Sequence, residues 1–423
     1  MAILDQGLIT GSNFFLSILL ARWLSHEQYG AFGVAFAIFL LLATLYQALV
    51  LEPMAVFGAS IYRNHLRSYL SGLIRMYLCI SIVIFLILGI AAEATLVAGL
   101  VGLPGALAGA ALAAPGVLLL WLARRTFYLQ LSPTLAVGGA FLYCGVVIGG
   151  LYLARDRGLL SPLSALTLTG VGGLLAGALL LMFLSRRLEA GTVVLALPDV
   201  WKRHWKYGRW ALGSAAAIWI PSNLYYLLLS HFSGMAAAGE LRALMNFASP
   251  LFQSCAALSL LLIPYAARVQ SQKGDAEALT WKITLLHLSG AVVYWAVVAA
   301  FREPAFRLLY SGKYLEVVNL IPIVGLASVF WSAFFGPATV LQGMQSPGSV
   351  FTAAFISSLF CFAVGIPATR AFGVRGAVWS MMFSGALAFV IAVLLVRRRV
   401  HSVRVRLRLD GYPSTQPYEA PVE

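Results

Sequence analysis

The feature that most constrains this chain is the recurrence of apolar runs about twenty residues long, separated by short charged or Gly/Pro-containing breaks. A run of that length crosses the roughly 30 Å hydrocarbon layer of a bilayer as a helix. Lipid offers no partner to an exposed peptide group, so a chain built of such runs folds as α-helices. Twelve runs are legible, near 4–24, 30–55, 70–92, 104–124, 133–154, 162–185, 207–230, 238–266, 279–301, 317–341, 349–369 and 374–396. The second and eighth exceed the bilayer thickness and are expected to tilt, bend or project. Only 10% of the 423 residues are charged and 61% are hydrophobic, against about 25% charged in soluble domains. The expected fold class is an all-α polytopic membrane protein, with little chain left for a water-soluble domain.

The amino terminus carries Asp5 where a signal peptide would be positive, and no small-residue cleavage site precedes Arg22. It reads as a retained first helix. The four cysteines lie singly in different apolar runs, without C-x-x-C spacing, and read as packing residues. A net charge of +14 would point to nucleic acid in a soluble protein; here its placement over the loops gives topology instead. With the amino terminus inside, 20 Lys and Arg fall on the inner side and 9 on the outer. Both termini are therefore expected in the cytoplasm.

Ser12-Asn13-Phe14-Phe15 in the first run is echoed by Ser222-Asn223-Leu224-Tyr225 in the seventh, 210 residues later. Gly30 followed by a long helix expected to break at Pro53 is answered by Gly239 and a long helix expected to break at Pro264, at offsets of 209 and 211. The implied build is a parallel pseudo-repeat of two six-helix lobes, residues 1–185 and 207–396, with a substrate site expected between the halves. Residues 186–206 form the linker, in which Trp201 and Trp205 beside Lys202, Arg203 and Lys206 make a pattern for a short amphipathic helix on the inner leaflet. The remainder, 397–423, reads as a basic segment suited to anionic lipid headgroups, followed by a disordered stub. Its alternation over 403–408 would also suit an edge strand, for which the chain has no sheet partner.

No paired carboxylates, H-E-x-x-H, G-x-S-x-G or phosphate-loop motif is present, and no loop exceeds about thirty residues. Neither catalysis nor a metal or cofactor is expected; transport is. Polar residues at membrane depth are the functional candidates. Arg22 and Arg242, near the outer ends of the first and eighth runs, are expected to face each other across a cleft. Arg75 and Arg209 lie nearer inner ends. Snorkelling at a helix end is the competing reading for all four. Glu52 and Glu240 are coupling candidates, though Glu52 also reads as a carboxylate at a kink and Glu240 as an orienting partner of Arg242. Asn13, Asn223, Asn246 and Tyr225, with Tyr46, Gln47, Tyr226 and Gln253, would line a polar path or bond helix to helix. The scarcity of deep carboxylates points to an anionic substrate.

The stretch "DQGLITGSNFFLSILLARWLSHEQYGAFGVAFAI", followed by a long second helix, resembles the amino-terminal pattern of bacterial polysaccharide flippases. These belong to the multidrug/oligosaccharidyl-lipid/polysaccharide flippase superfamily. The most specific part is Ala21-Arg22-Trp23-Leu24 with Tyr29-Gly30; the rest is architecture. The resemblance implies a multi-pass protein of the bacterial cytoplasmic (inner) membrane that exports polyprenyl-diphosphate-linked oligosaccharide, such as O-antigen, lipopolysaccharide or exopolysaccharide units, by alternating access. It also implies membrane lipids as surroundings, a glycan polymerase and chain-length machinery as partners, and no nucleic acid. The lipid II flippase of that superfamily lines its cavity with arginines in helices one, two and eight. Arg22 and Arg242 match the first and last of these by position. The second run here has no arginine, and two further carboxy-terminal helices of that flippase are missing, which argues for a substrate other than lipid II. A cation-coupled multidrug or metabolite antiporter of the same fold, and a membrane glycan polymerase or ligase, are the alternative functions.

Overall fold

A computed structural model describes residues 2–58, 60–130, 133–187, 195–271 and 275–409. Among them there is no strand. The helices are α1 (Ala2–Trp23), α2 (His26–Tyr46), α3 (Glu52–Phe57), α4 (Leu66–Val97), α5 (Leu103–Leu129), α6 (Pro133–Asp156) and α7 (Pro162–Arg187). They are followed by α8 (Leu197–Phe232), α9 (Met235–Asn246), α10 (Ser249–Ser271), α11 (Ala276–Ala300), α12 (Arg302–Tyr310), α13 (Ile321–Gly343), α14 (Pro347–Phe360) and α15 (Ile366–Leu409). Eleven helical stretches among the described residues are long and apolar enough to span a membrane. The last of these, Pro347–Ser402, joins the two final sequence runs across a break at Gly373, whose φ of 56° suits a residue without Cβ.

Helix boundaries follow local chemistry. Ser25 caps α2 through its side chain to the Gln28 N–H, and Gln28 returns a bond to the Ser25 N–H, each at 3.2 Å. This capping box lets α2 start directly after α1 stops. Proline stands at the first position of α6, α7 and α14, where its missing N–H costs nothing.

Both long runs are interrupted. Between α2 and α3 the chain makes a π-helical turn, Gln47–Leu51, just ahead of Pro53. The eighth run splits into α9 and α10 immediately before Pro250, and not at the expected Pro264, which lies inside the continuous α10. In each case proline removes the N–H that would bond the carbonyl four residues earlier. The amphipathic segment expected in the linker is continuous with the seventh span, forming the single 36-residue helix α8. At 1.5 Å per residue that is about 54 Å, far more than a bilayer core requires, so its first turns precede the apolar portion at Ala211–Phe232. The basic tail is helical as far as Leu409, with no strand at 403–408. Residues 188–194 of the linker and 410–423 of the tail lie outside the described residues.

The chain divides into two compact units, Met1–Trp219 with Tyr226–Arg242, and Ile220–Tyr225 with Ala243–Glu423. In the first, α5 is the central helix, packed by α2, α4, α6 and α7, with α1 against α6. Lipid tails are as apolar as leucine, so helices associate here by close packing of small residues. The α5–α7 seam shows this directly. A Cβ on Gly173 would lie 2.7 Å from the Gly116 backbone, and one on Gly170 2.6 Å from the Ala113 Cα. In the second unit α13 is central, flanked by α10, α11 and α15. There Gly343 lies against the Ala266 backbone and Gly385 against Trp331.

Adding a side chain in the α5–α7 seam should separate the two helices. Gly173→Leu is expected to lower stability by about 1–3 kcal/mol or more, read as a fall in melting temperature in detergent. Gly138→Ala, in α6 with no atom within 4 Å of the added methyl, should leave it unchanged or slightly raised.

Candidate functional site

Within the first unit, α2 and α9 touch backbone to backbone. A Cβ on Gly30 would overlap the Met235 carbonyl, and one on Gly239 would lie 2.6 Å from the His26 carbonyl. One turn further along each helix stand Gly33 and Arg242. The Arg242 stem passes 3.6–3.7 Å from where a Gly33 side chain would begin, so the glycine makes its berth. The guanidinium carbon lies 4.8 Å from the ring centre of Phe36, 5.5 Å from Phe32 and 5.9 Å from Tyr226. Cation–π attraction in such a niche contributes about 0.5–2 kcal/mol. The Tyr226 hydroxyl also lies within electrostatic reach of the guanidinium. The Arg242 Nε is buried and has no hydrogen-bond partner among the described residues. A positioned cation with an unused donor, among aromatic faces, is suited to an anionic ligand carrying flat or ring-shaped groups.

A second polar centre joins α1 to α5. Asp5 is completely buried and Arg124 is 8% exposed. Arg124 donates through Nη2 at 2.6 Å and Nε at 3.1 Å to one Asp5 oxygen. Tyr128 donates to the same carboxylate, and Arg124 also reaches Gln6 at 3.3 Å. Such a pair repays its desolvation only when every partner is present.

The third centre lies at the π-helical turn. Pro53 cannot donate to the Leu49 carbonyl, four residues back. That carbonyl instead meets Nδ1 of His204, from the first turns of α8, at 2.8 Å. A carbonyl only accepts, so Nδ1 carries the proton, and Nε2 then accepts from the Tyr69 hydroxyl of α4 at 2.7 Å. Burial pushes the imidazole below its ordinary value, opposed by the Leu49 carbonyl. Gly208, one turn on, allows α8 to approach the Ala48 carbonyl, which a Cβ there would reach at 2.5 Å.

The residues expected from sequence fall in several places. Arg22 is exposed and lines a cavity of about 350 Å³ with Trp23, Gln28 and Arg155, whose guanidinium lies 4.5 Å over the Trp23 ring. Its neighbours are thus different from those of Arg242. Arg75 and Arg209 are exposed on α4 and α8. Asn13 accepts from Tyr143 at 3.0 Å. Glu52 lies within electrostatic reach of Arg125 and Tyr207, and Glu240 is half-buried on α9. In the second unit Asn246 donates to Tyr310 at 3.2 Å, and Tyr225 packs its ring against Gly365; Asn223, half-buried, precedes the latter on α8. Asp5, Arg124 and His204 were not among the expected site residues. Asp5 and Arg124 sit near the ends of their runs, which reads as a solvated edge. For Pro53, the only sequence signal was that its missing N–H leaves Leu49 needing a donor.

No protein-family profile matches this sequence, and no curated protein does. Among solved structures, the chain is similar to a multidrug resistance MATE family transporter of the MOP superfamily in an inward-facing conformation. The TM-score is 0.74 at 13% identity, covering 96% of this chain and 99% of that one. The lipid II flippase MurJ in an inward closed conformation gives 0.71 at 12% identity, covering 98% and 93%. A MATE transporter of Vibrio cholerae gives 0.65 at 16%, covering 94% and 95%. The fold is therefore the one shared by MATE transporters and MurJ.

Two outcomes follow from these centres. Asp5→Asn leaves a buried guanidinium without its counterion and should cost about 3–5 kcal/mol in stability; the paired replacement Asp5→Leu with Arg124→Met should recover much of it in a thermal melt. Because the fold selects neutral His204, its contribution is complete above about pH 6.5 and is lost as pH falls through the depressed value. The wild-type protein should lose more melting temperature between pH 7.5 and about 5 than His204→Gln does.

Proposed function

We propose that this chain is a flippase that carries a polyprenyl-diphosphate-linked oligosaccharide from the cytoplasmic to the outer leaflet of the bacterial cytoplasmic membrane. The observation that carries the reading is Arg242: a guanidinium fixed among Phe32, Phe36 and Tyr226, with a buried donor that no acceptor among the described residues takes. A diphosphate supplies the missing acceptor, and the rings offer flat faces to sugar. The chain of the polyprenol stays in lipid while the charged head is carried by alternating access. Arg75 and Arg209 are gateway residues in this reading, and Arg22 with Arg155 meets the diphosphate near the other end of its path. A glycan polymerase and chain-length machinery would take the exported product. The fold shared with MurJ and the Ala21-Arg22-Trp23-Leu24 resemblance support it.

The second reading is a cation-coupled multidrug or metabolite antiporter. It is favoured by the completely buried Asp5 carboxylate in α1 and by the fold shared with MATE transporters. An arginine in the aromatic niche repels a cationic drug, which is why the flippase reading ranks first.

In proteoliposomes carrying a fluorescent polyprenyl-diphosphate oligosaccharide, Arg242→Gln should slow flipping by at least about ten-fold, with the melting temperature held within a few degrees. Arg242→Lys should retain part of the rate, because it keeps charge and loses the planar fork. Equal flipping by Arg242→Gln and wild type removes the assignment. Drug efflux driven by a cation gradient, and dependent on Asp5, transfers the protein to the second reading.

A further inference from the structure

The first turns of α8, residues 197–210, have two faces with different business. Val200, His204 and Gly208 recur every fourth position and are buried, with His204 against Leu49 and Tyr69 and Gly208 against Ala48 and Leu49. On one flank Trp201 and Trp205 stack on each other at 6.3 Å and remain 39% and 46% exposed. Lys202, Lys206 and Arg209 occupy the side of the helix opposite His204, Arg203 lies between, and all four are exposed. The segment's single carboxylate is Asp199. Immediately after it begins the apolar portion of α8 at Ala211, so the segment sits where hydrocarbon gives way to headgroups.

Charge and side-chain type identify the occupant of that exposed face. A tryptophan pair flanking a lysine-rich stripe, at the edge of a membrane span, matches the interface between acyl chains and negatively charged headgroups. The buried face of the same segment holds the one carbonyl in the second membrane run that Pro53 leaves without its helical donor. We propose that residues 197–210 are a docking surface for acidic phospholipid headgroups of the cytoplasmic leaflet, and that His204 transmits their binding to the π-helical hinge at 47–53. The segment is then a lipid-sensitive brace: headgroups seat the helix, the seated helix holds the Leu49 carbonyl, and the hinge is kept in its present form. Phe57 supports the contact, packing on both His204 and Tyr207. This inference does not depend on which substrate is carried.

The test uses the full chain in nanodiscs of phosphatidylcholine alone or with about a third phosphatidylglycerol, read by hydrogen–deuterium exchange. Each Lys or Arg near an acidic surface contributes about five-fold in binding. Phosphatidylglycerol is expected to slow exchange over both 197–210 and 47–57 in the wild type, by roughly ten-fold or more. Lys202→Gln with Arg203→Gln and Lys206→Gln should abolish both effects. His204→Phe keeps the bulk and loses both hydrogen bonds; it should retain the effect over 197–210 and lose it over 47–57. His204→Gln serves as the second variant should the first fold poorly, with melting temperature as the control. Inorganic phosphate added to phosphatidylcholine discs should do nothing, and full protection by phosphate would identify a free anion instead of a headgroup and overturn the lipid assignment. An identical response in the triple-Gln protein overturns the docking surface. Persistence of the 47–57 response in His204→Phe and His204→Gln overturns the coupling.

Discussion

Hydrocarbon cannot hydrogen-bond a peptide group, and almost every feature of this chain is an answer to that constraint. Wherever a helix keeps its own ladder, it needs nothing from its neighbours. Wherever proline breaks the ladder, a carbonyl must be met by another element or by a changed helical pitch. At Pro53 both answers occur together: the chain adopts a π-helical turn, and His204 from a helix 155 residues away supplies a donor to Leu49. At Pro250 the helix stops altogether and restarts as α10. These irregularities are the joints between otherwise rigid rods.

Close packing supplies the second layer of organisation. In the absence of a hydrophobic force between helices, contact distance decides which helices associate, and glycine decides contact distance. The α5–α7 seam is the structural use of this rule. The Gly30–Gly239 contact follows the same rule and brings α9 near enough to α2 for Arg242 to lie over Gly33 beside Phe32 and Phe36. A side chain of any size at those two glycines would lift the arginine out of its aromatic niche. Placement of charge thus depends on absence of side chain.

The polar interior divides into satisfied and unsatisfied parts. Asp5, Arg124 and Tyr128 close on one another and leave no acceptor unused, so their energy is that of a structural clasp. Arg242 is surrounded by rings and one hydroxyl and retains a buried donor. In the sequence Arg242 is marked by its place near the outer end of the eighth run beside Glu240, whereas Asp5 and Arg124 look like ends of helices meeting water.

What the sequence determined by itself was the all-helical membrane fold, the number of apolar runs and the interruption of the second run at Pro53, since length, hydropathy and a missing N–H are local properties; it did not determine that the eighth run breaks before Pro250 while Pro264 stays inside α10. It also marked Arg242 and the tryptophan-bearing segment before Ala211. What only the tertiary structure decided was the company each residue keeps. Periodicity cannot say that Asp5 and Arg124, 119 residues apart, share a buried ion pair, that Arg22 stands with Arg155, or that His204 faces Leu49. Those pairings depend on which helices lie side by side. That choice is made by glycine contacts and close packing summed over whole helices, and no short stretch of sequence contains it.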